Sequence, residues 1–149
     1  MPNNSIQLFT IGFTQKSAEK FFETLIKSGV KTLIDTRLNN VSQLAGFAKK
    51  NDLQYFLKQI GGIDYVHILD LAPTKDILDE YKKNKGDWGV YEKKFLNLIS
   101  ERAIEKKVTP ELINHGCLLC SEAKPHNCHR RLVAEYLSKK LESVNICHL

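Results

Sequence analysis

The sequence lacks several features that would assign the protein to a class at once. Its 149 residues contain four cysteines, too few for a disulfide scaffold. No apolar run approaches the roughly 18 residues that a membrane-spanning helix needs, so we expect no membrane partner. The first residues show no basic segment followed by an apolar one, so we expect no secretory signal peptide. These absences predict a cytoplasmic protein whose cysteines are thiols or metal ligands.

Three familiar phosphate-binding signatures are missing as well. The turn at Gly12 does not continue as G-x-G-x-x-G, and no G-x-x-x-x-G-K-[ST] loop occurs anywhere in the chain. A phosphatase-type Cys-x5-Arg cradle starting at Cys120 would require arginine at position 126, where the chain has His126. We therefore predict no cofactor, and any phosphate site must be built differently.

Composition predicts one folded domain over residues 1–149, since 42% of the residues are hydrophobic and 9% are aromatic. The net charge of +5 is modest and its lysines are scattered over several segments. Such a balance permits an anionic partner without requiring one, and we expect a small anionic ligand or a nucleotide. Nucleic acid stays an alternative partner, bound weakly through its phosphates. Nothing in the sequence indicates an oligomeric state.

Short β-rich runs alternate with amphipathic helical patterns along the whole chain. The predicted strands are residues 7–11, 30–35, 64–69, 116–121 and 143–149. The helices are predicted to follow the N-cap candidates Ser17, Asp52, Thr74, Asp87 and Asn127. This alternation predicts a single-domain α/β three-layer sandwich, Rossmann-like or flavodoxin-like, with a mostly parallel five-stranded sheet and helices on both faces.

Ligands of open α/β sheets bind beyond the carboxyl ends of the strands, so the residues that end each strand are the candidates for a site. Gly12, Asp35, His67 and Cys120 are predicted to lie on one edge of the sheet. Asp35 and Arg37 are two residues apart, so on a strand their side chains point the same way. They either bind a hydroxyl and an anion together or form a structural ion pair. His67 is either part of the site or a hydrogen-bonded core histidine.

The segment from residue 117 to residue 131 is the richest in reactive groups. If Asn127 caps the last helix, Cys128 is its first residue, where free backbone N–H groups and the helix dipole favour an anion or a thiolate. Arg130 or Arg131 would add a bidentate grip on a phosphate or carboxylate. This segment therefore predicts an anion-binding crevice that contains thiols.

Three interpretations of the cysteines remain open. Cys117, Cys120, Cys128 and His129 are four potential zinc ligands, but Cys117 and Cys120 should point to opposite faces of one strand, so we expect no bound metal. Cys120 and Cys128 would alternatively act as nucleophile and resolving thiol, with Glu122 or His129 as proton partner. The third interpretation makes Cys117 and Cys120 small core residues.

Several of these segments together resemble the DUF488 family over nearly the whole chain. The resemblance is carried by residues 10–12, 33–37, 63–67, 119–122 and 128–132. It implies an α/β fold and a shared site, but it implies no particular reaction. Many members have His-Ser after the first strand, where this chain has Phe13 and Thr14. The matching site residues are Gly12, Asp35, Arg37, Cys120, Glu122, Cys128, His129 and Arg130.

Sequence and resemblance leave three functional hypotheses. The first is an enzyme with Cys120 or Cys128 as nucleophile on a phosphorylated or nucleotide substrate, held by Arg37 and Arg130. The second is a non-catalytic module that binds nucleotide or nucleic-acid phosphate with the same residues. The third is a structural metal site.

Overall fold

The computed structural model describes residues 5–38, 46–83, 86–120 and 128–149. The strands are β1 (Ile6–Gly12), β2 (Thr32–Asp35), β3 (Asp64–His67), β4 (Gly116–Cys120) and β5 (Val144–His148). The helices among these residues are α1 (Ala18–Ser28), α2 (Lys50–Phe56), α3 (Lys75–Lys83), α4 (Trp88–Glu101), α5 (Pro110–Ile113) and α6 (His129–Lys140). None of the described helices is both long and apolar enough to cross a membrane.

The five strands form one parallel sheet in the order β3-β2-β4-β1-β5. The predicted α/β sandwich is therefore confirmed. Its order places β4 between β2 and β1, which distinguishes it from the 3-2-1-4-5 and 2-1-3-4-5 orders of the best-known doubly wound sheets. The central position of β4 matters for the site, because the cysteine that ends this strand is flanked by the ends of two others.

Successive side chains along each strand point to opposite faces of the sheet, and each face has its own hydrophobic core. Leu8, Ile34 and Leu118 pack in the same cluster as apolar residues of α4, α5 and α6. On the other face, Leu33 and Leu119 pack with apolar residues of α1 and α2. Because both faces are covered, the polar residues of the sheet are concentrated at the strand ends.

Three of the predicted helix caps are confirmed. The side-chain oxygens of Ser17, Thr74 and Asp87 each accept a hydrogen bond from the backbone N–H three residues on, at 3.1, 3.3 and 3.3 Å. α1 ends at Gly29, whose φ of 76° requires the left-handed conformation that glycine adopts without strain. Serine, threonine and aspartate thus mark where these three helices begin.

Several predicted boundaries are wrong by a few residues. α2 begins at Lys50, and its N-cap is Lys49 rather than Asp52. Asp52 lies in the first turn, where its negative charge interacts favourably with the helix dipole. β2 begins at Thr32 because the Val30 N–H closes α1 by donating to Leu25 O at 3.2 Å. β3 ends at His67, and residues 69–71 form a 3-10 turn instead. Asn127 lies outside the described residues.

Candidate functional site

The predicted site residues meet at one edge of the sheet. Gly12 is in register with Cys120, while Asp35 is in register with both Leu119 and His67. The prediction that these strand ends share one edge is confirmed. The chain leaves β1 towards α1 on one face and reaches α6 on the opposite face after β4. Neighbouring strands that diverge in this way open a crevice at their carboxyl ends.

Asp35 and Arg37 form a buried ion pair at the end of β2. The Arg37 guanidinium donates from Nε to Oδ1 at 2.9 Å and from Nη2 to Oδ2 at 2.8 Å, and the Arg37 backbone N–H also donates to Oδ1. The Tyr65 hydroxyl donates to Oδ2 at 2.6 Å. Both carboxylate oxygens are therefore engaged, and Asp35 acts here as the residue that orients Arg37.

Arg37 keeps one donor that Asp35 does not use. The residue is 4% exposed, and its Nη1 has no hydrogen-bond partner among the described parts of the chain. Its guanidinium lies over the Phe13 ring, 5.3 Å from the centroid, and its backbone carbonyl accepts from His67 Nε2–H at 2.7 Å. A buried guanidinium donor without a partner is uncommon, and it is chemically suited to an anion.

Cys120 and Cys128 are paired as a disulfide, with their Cα atoms 7.4 Å apart. Arg130 is fully buried, and its Nη1 donates to Cys120 Sγ at 3.0 Å. Arg131, the alternative anion ligand in the sequence, forms an ion pair with Glu92 at 3.1 Å instead. Of the two consecutive arginines, the structure thus brings Arg130 to the disulfide.

The predicted position of Cys128 in the helix is wrong by one residue. Its backbone is extended, with φ of −139° and ψ of 139°, so Cys128 is the N-cap of α6 and His129 is the first helical residue. The extended backbone brings its sulfur to Cys120 rather than into the first helical turn. Cys128 nevertheless stays beside the free N–H groups that begin α6.

His129 connects the start of α6 to the end of β2. Its Nε2–H is shared between Thr36 O at 2.8 Å and Thr36 Oγ1 at 3.0 Å, and Thr36 Oγ1 in turn donates to Leu119 O at 2.7 Å. The pKa of His129 is lowered to about 4, mainly by burial and to a smaller extent by nearby Arg130, against the opposing effect of the hydrogen bond to the Thr36 carbonyl. The imidazole is therefore neutral near pH 7, with its free lone pair on Nδ1.

Arg130 also contributes to lowered pKa values of two further basic groups. Burial lowers the pKa of Lys16, and Arg130 and Lys20 lower it further. Burial also lowers the pKa of His148, again with a contribution from Arg130. Lys16 follows a turn at Gln15, whose φ is 64°, and its N–H donates to Phe13 O at 3.2 Å. Both pKa shifts are caused mainly by burial, and Arg130 adds a smaller contribution to each.

Three of the four potential metal ligands converge. Cys120, Cys128 and His129 each offer one ligand atom, and these atoms lie within 4.8 Å of one another. Cys117 belongs to the core cluster on the opposite face, and its burial raises the pKa of its thiol. The expected separation of Cys117 from Cys120 is thus confirmed. The absence of zinc stays a prediction, since after reduction of the disulfide a three-ligand set can itself hold a metal with one position open.

The sequence did not indicate some of the groups that complete this arrangement. Tyr65 reaches Asp35 because β3 lies beside β2, and Thr36 reaches His129 because α6 begins beside the end of β2. These contacts depend on which elements are neighbours, which no local pattern encodes. Lys16 carried no signal beyond its place after the first strand. Glu122, the predicted proton partner, lies outside the described residues.

Comparison with known proteins agrees with this geometry. Residues 17–137 match the family described as "Domain of unknown function DUF488". The chain belongs to the DUF488 family. The match includes the Asp35–Arg37 pair, both disulfide cysteines and the start of α6, so these features lie within the family's domain. No significant similarity connects the chain to a curated protein or to a solved structure.

Proposed function

We propose that this DUF488 protein is a cysteine-dependent enzyme that acts on a phosphorylated or nucleotide substrate, with Cys120 as the nucleophile. The observation that carries the proposal is the 3.0 Å contact from the buried Arg130 guanidinium to Cys120 Sγ. A guanidinium that donates to sulfur stabilises the thiolate relative to the thiol, and the thiolate is the nucleophilic form. Cys120 is favoured over Cys128 because it is Cys120 that receives this contact.

Arg37 is the proposed anchor for the substrate's anion. Its Nη1 is the buried donor that no described residue uses, while Asp35 and Tyr65 hold the rest of the guanidinium network in place. Arg130 and Lys16 add positive potential at the same strand ends. A phosphate is attracted by such a cluster, and Arg37 supplies the directional bond.

The proposed reaction begins with reduction of the disulfide. Two equivalents of a small thiol are oxidised to their own disulfide, and Cys120 and Cys128 become free thiols. The Cys120 thiolate then forms a bond from sulfur to an electrophilic atom of the substrate. The leaving group departs with the bonding electron pair and takes a proton from a general acid, for which Glu122 is our candidate. Water hydrolyses the adduct and returns Cys120.

His129 is a positioning residue in this proposal. Its Nε2–H is committed to Thr36, and a ring whose pKa is about 4 is a poor base near pH 7. Its contribution is to hold the start of α6, and with it Arg130, against the end of β2. The proton partner is therefore sought elsewhere than at His129.

The test is the rate of iodoacetamide alkylation of each cysteine in the reduced protein, followed by peptide mass spectrometry. We expect Cys120 to react faster near pH 7 than Cys117 or Cys147. The Arg130→Met variant should slow Cys120 by roughly tenfold or more, since a charge-assisted hydrogen bond contributes about 1.5–3 kcal/mol. Arg131→Met is the matched control, because Arg131 pairs with Glu92, and it should leave the Cys120 rate unchanged.

Two results would overturn the proposal. One is a Cys120 that reacts no faster than Cys117. The other is a stoichiometric metal ion in the reduced protein that is lost in Cys128→Ser or His129→Ala variants, because thiolates bound to metal would then be ligands rather than nucleophiles. Metal content is therefore measured on the same sample before alkylation.

A non-catalytic phosphate-binding module is the second candidate, and the burial of the sulfurs favours it. Cys120 is 1% exposed and Cys128 is 3% exposed. The Arg37 donor, in contrast, needs no thiol chemistry to bind an anion. In this case a Cys120→Ser/Cys128→Ser protein binds inorganic phosphate or AMP as tightly as the reduced wild type in a calorimetric titration.

A further inference from the structure

The Cys120–Cys128 disulfide joins the two elements that border the crevice. Cys120 is the last residue of β4, and Cys128 is the N-cap of α6, eight residues further along the chain. The other two cysteines are free: Cys117 is buried in the core of the α1/α2 face, and Cys147 is exposed on β5. The disulfide therefore contains the one sulfur that the proposed reaction needs as a thiolate.

Two features beside the bonded sulfurs favour negative charge after reduction. The buried Arg130 guanidinium donates from Nη1 to Cys120 Sγ at 3.0 Å. Cys128 stands at the start of α6, a helix of twelve residues whose first N–H groups have no partner within the helix. Peroxides oxidise the thiolate form of cysteine, so these contacts make the pair susceptible to oxidation.

We propose that Cys120 and Cys128 form a reversible redox switch, which a hydroperoxide oxidises and a small thiol reduces. This inference rests on the proposed role of Cys120, because a sulfur bonded to Cys128 cannot attack a substrate. The disulfide form is the inactive state, and the dithiol form is the active one. The switch controls the nucleophile rather than the anion site, since the Asp35–Arg37 pair shares no residue with the disulfide.

Oxidation proceeds in two steps and consumes one hydroperoxide. The Cys120 thiolate first attacks an oxygen of hydrogen peroxide, so an S–O bond forms and the O–O bond breaks. Hydroxide leaves with the bonding electron pair, takes up the proton that the thiol had lost, and leaves Cys120 as a sulfenic acid. The Cys128 thiolate then attacks the Cys120 sulfur, and the S–O bond breaks to release a second hydroxide, which takes up the Cys128 proton. Two thiols and one peroxide thus give one disulfide and two water molecules.

The test starts from the fully reduced full-length protein after the reductant has been removed. One equivalent of hydrogen peroxide is added, the remaining thiols are blocked with iodoacetamide at intervals, and unreduced peptides are analysed by mass spectrometry. We expect the Cys120–Cys128 disulfide to form before Cys117 or Cys147 is oxidised. Dithiothreitol should then restore both thiols.

Two arginine variants test whether the buried guanidinium drives this oxidation. Arg130→Met should slow disulfide formation severalfold, because the thiolate loses its charge-assisted hydrogen bond. Arg131→Met is the matched control and should leave the rate unchanged, since Arg131 pairs with Glu92. A rate in Arg130→Met equal to that of the wild type would overturn the role of this contact.

Trapping of the sulfenic acid identifies which thiol reacts first, in proteins that all retain Arg130. In Cys128→Ser, dimedone added with the peroxide should label Cys120, because the thiol that would resolve the sulfenic acid is missing. In Cys120→Ser, label should accumulate more slowly on Cys128.

Three results would overturn the switch. One is the formation of dimers linked through Cys147 before the intramolecular disulfide appears, and another is faster labelling of Cys128 than of Cys120 by dimedone. The third is a Cys120 that iodoacetamide alkylates rapidly but that forms no disulfide with peroxide. This third result leaves Cys120 as a nucleophile, whereas slow alkylation of Cys120 contradicts the proposed function itself, so the two failures are distinguishable.

Discussion

Two cysteines three residues apart on β4 lie in opposite environments. Cys117 is buried with Leu33 and Leu119 on the face covered by α1 and α2, and desolvation raises the pKa of its thiol. Cys120, at the end of the same strand, is equally buried but receives an Arg130 hydrogen bond. Burial alone therefore does not determine what a thiol can do. The charge and the hydrogen bonds that are buried with it decide between an inert core residue and a candidate nucleophile.

The same contrast holds for the two regions around these cysteines. The α1/α2 face is stabilised by apolar packing, in which each residue adds its own contact area. The strand-end crevice buries Asp35, Arg37 and Arg130 instead, and each of them depends on a partner. Losing one polar group from the crevice should therefore cost more than a comparable change in the apolar face.

The largest effect is expected when the buried ion pair is broken. Asp35→Ala leaves the Arg37 guanidinium buried without its carboxylate, so we expect the free energy of unfolding to fall by about 3–5 kcal/mol. Asp64→Ala is the control, because its pair with Lys58 is 64–69% exposed, and it should cost less than about 1 kcal/mol. Urea unfolding measures both. A loss below about 1 kcal/mol for Asp35→Ala would contradict the expected difference between the crevice and the apolar face.

The next effect concerns pH and the neutral His129. The unfolded chain protonates this histidine near its ordinary pKa of 6.5, whereas the folded protein does so only near 4. Its contribution to stability is therefore fully present above pH 6.5 and is lost as the pH falls towards 4, by up to about 3 kcal/mol.

Urea midpoints measured between about pH 4 and 7 test this expectation. His129→Gln keeps an amide donor that can face Thr36 but does not titrate, so its midpoint should vary less with pH than that of the wild type. The remaining variation reports other groups, among them His148, whose pKa is also lowered. An unchanged pH dependence in the variant would show that His129 is not the group responsible.

Much of the fold was predictable because it follows from local pattern. Ser17, Thr74 and Asp87 cap their helices, and residue parity along β4 separates Cys117 from Cys120. The strand order was not predictable, since no local signal encodes that β4 inserts between β1 and β2. The contact from His129 to Thr36 follows from that insertion, which is why the sequence revealed the residues of the crevice but not its network.

The smallest effect distinguishes the two cysteines themselves. Cys117→Ser places a hydroxyl in the apolar cluster of the α1/α2 face, so we expect a loss of about 1–3 kcal/mol in the reduced protein. Cys120→Ser offers Arg130 an oxygen acceptor in place of sulfur and should cost less than about 1 kcal/mol. Urea unfolding under a reductant measures both. If Cys120→Ser is the more costly of the two, the comparison between the environments is wrong.

The central claim is that the thiol and the anion site form one crevice, and ligand protection tests it most directly. The rate of Cys120 alkylation is measured in the reduced protein with and without saturating AMP. We predict that AMP slows the reaction of Cys120 severalfold and leaves Cys147, an exposed cysteine outside the site, unaffected. In Arg37→Lys, which keeps a positive charge beside Asp35 but loses the Nη1 donor, protection should require much more AMP. Two results would contradict the account. One is binding of AMP without protection of Cys120, and the other is protection of Cys120 in the Arg37→Lys variant at the same AMP concentration as in the wild type.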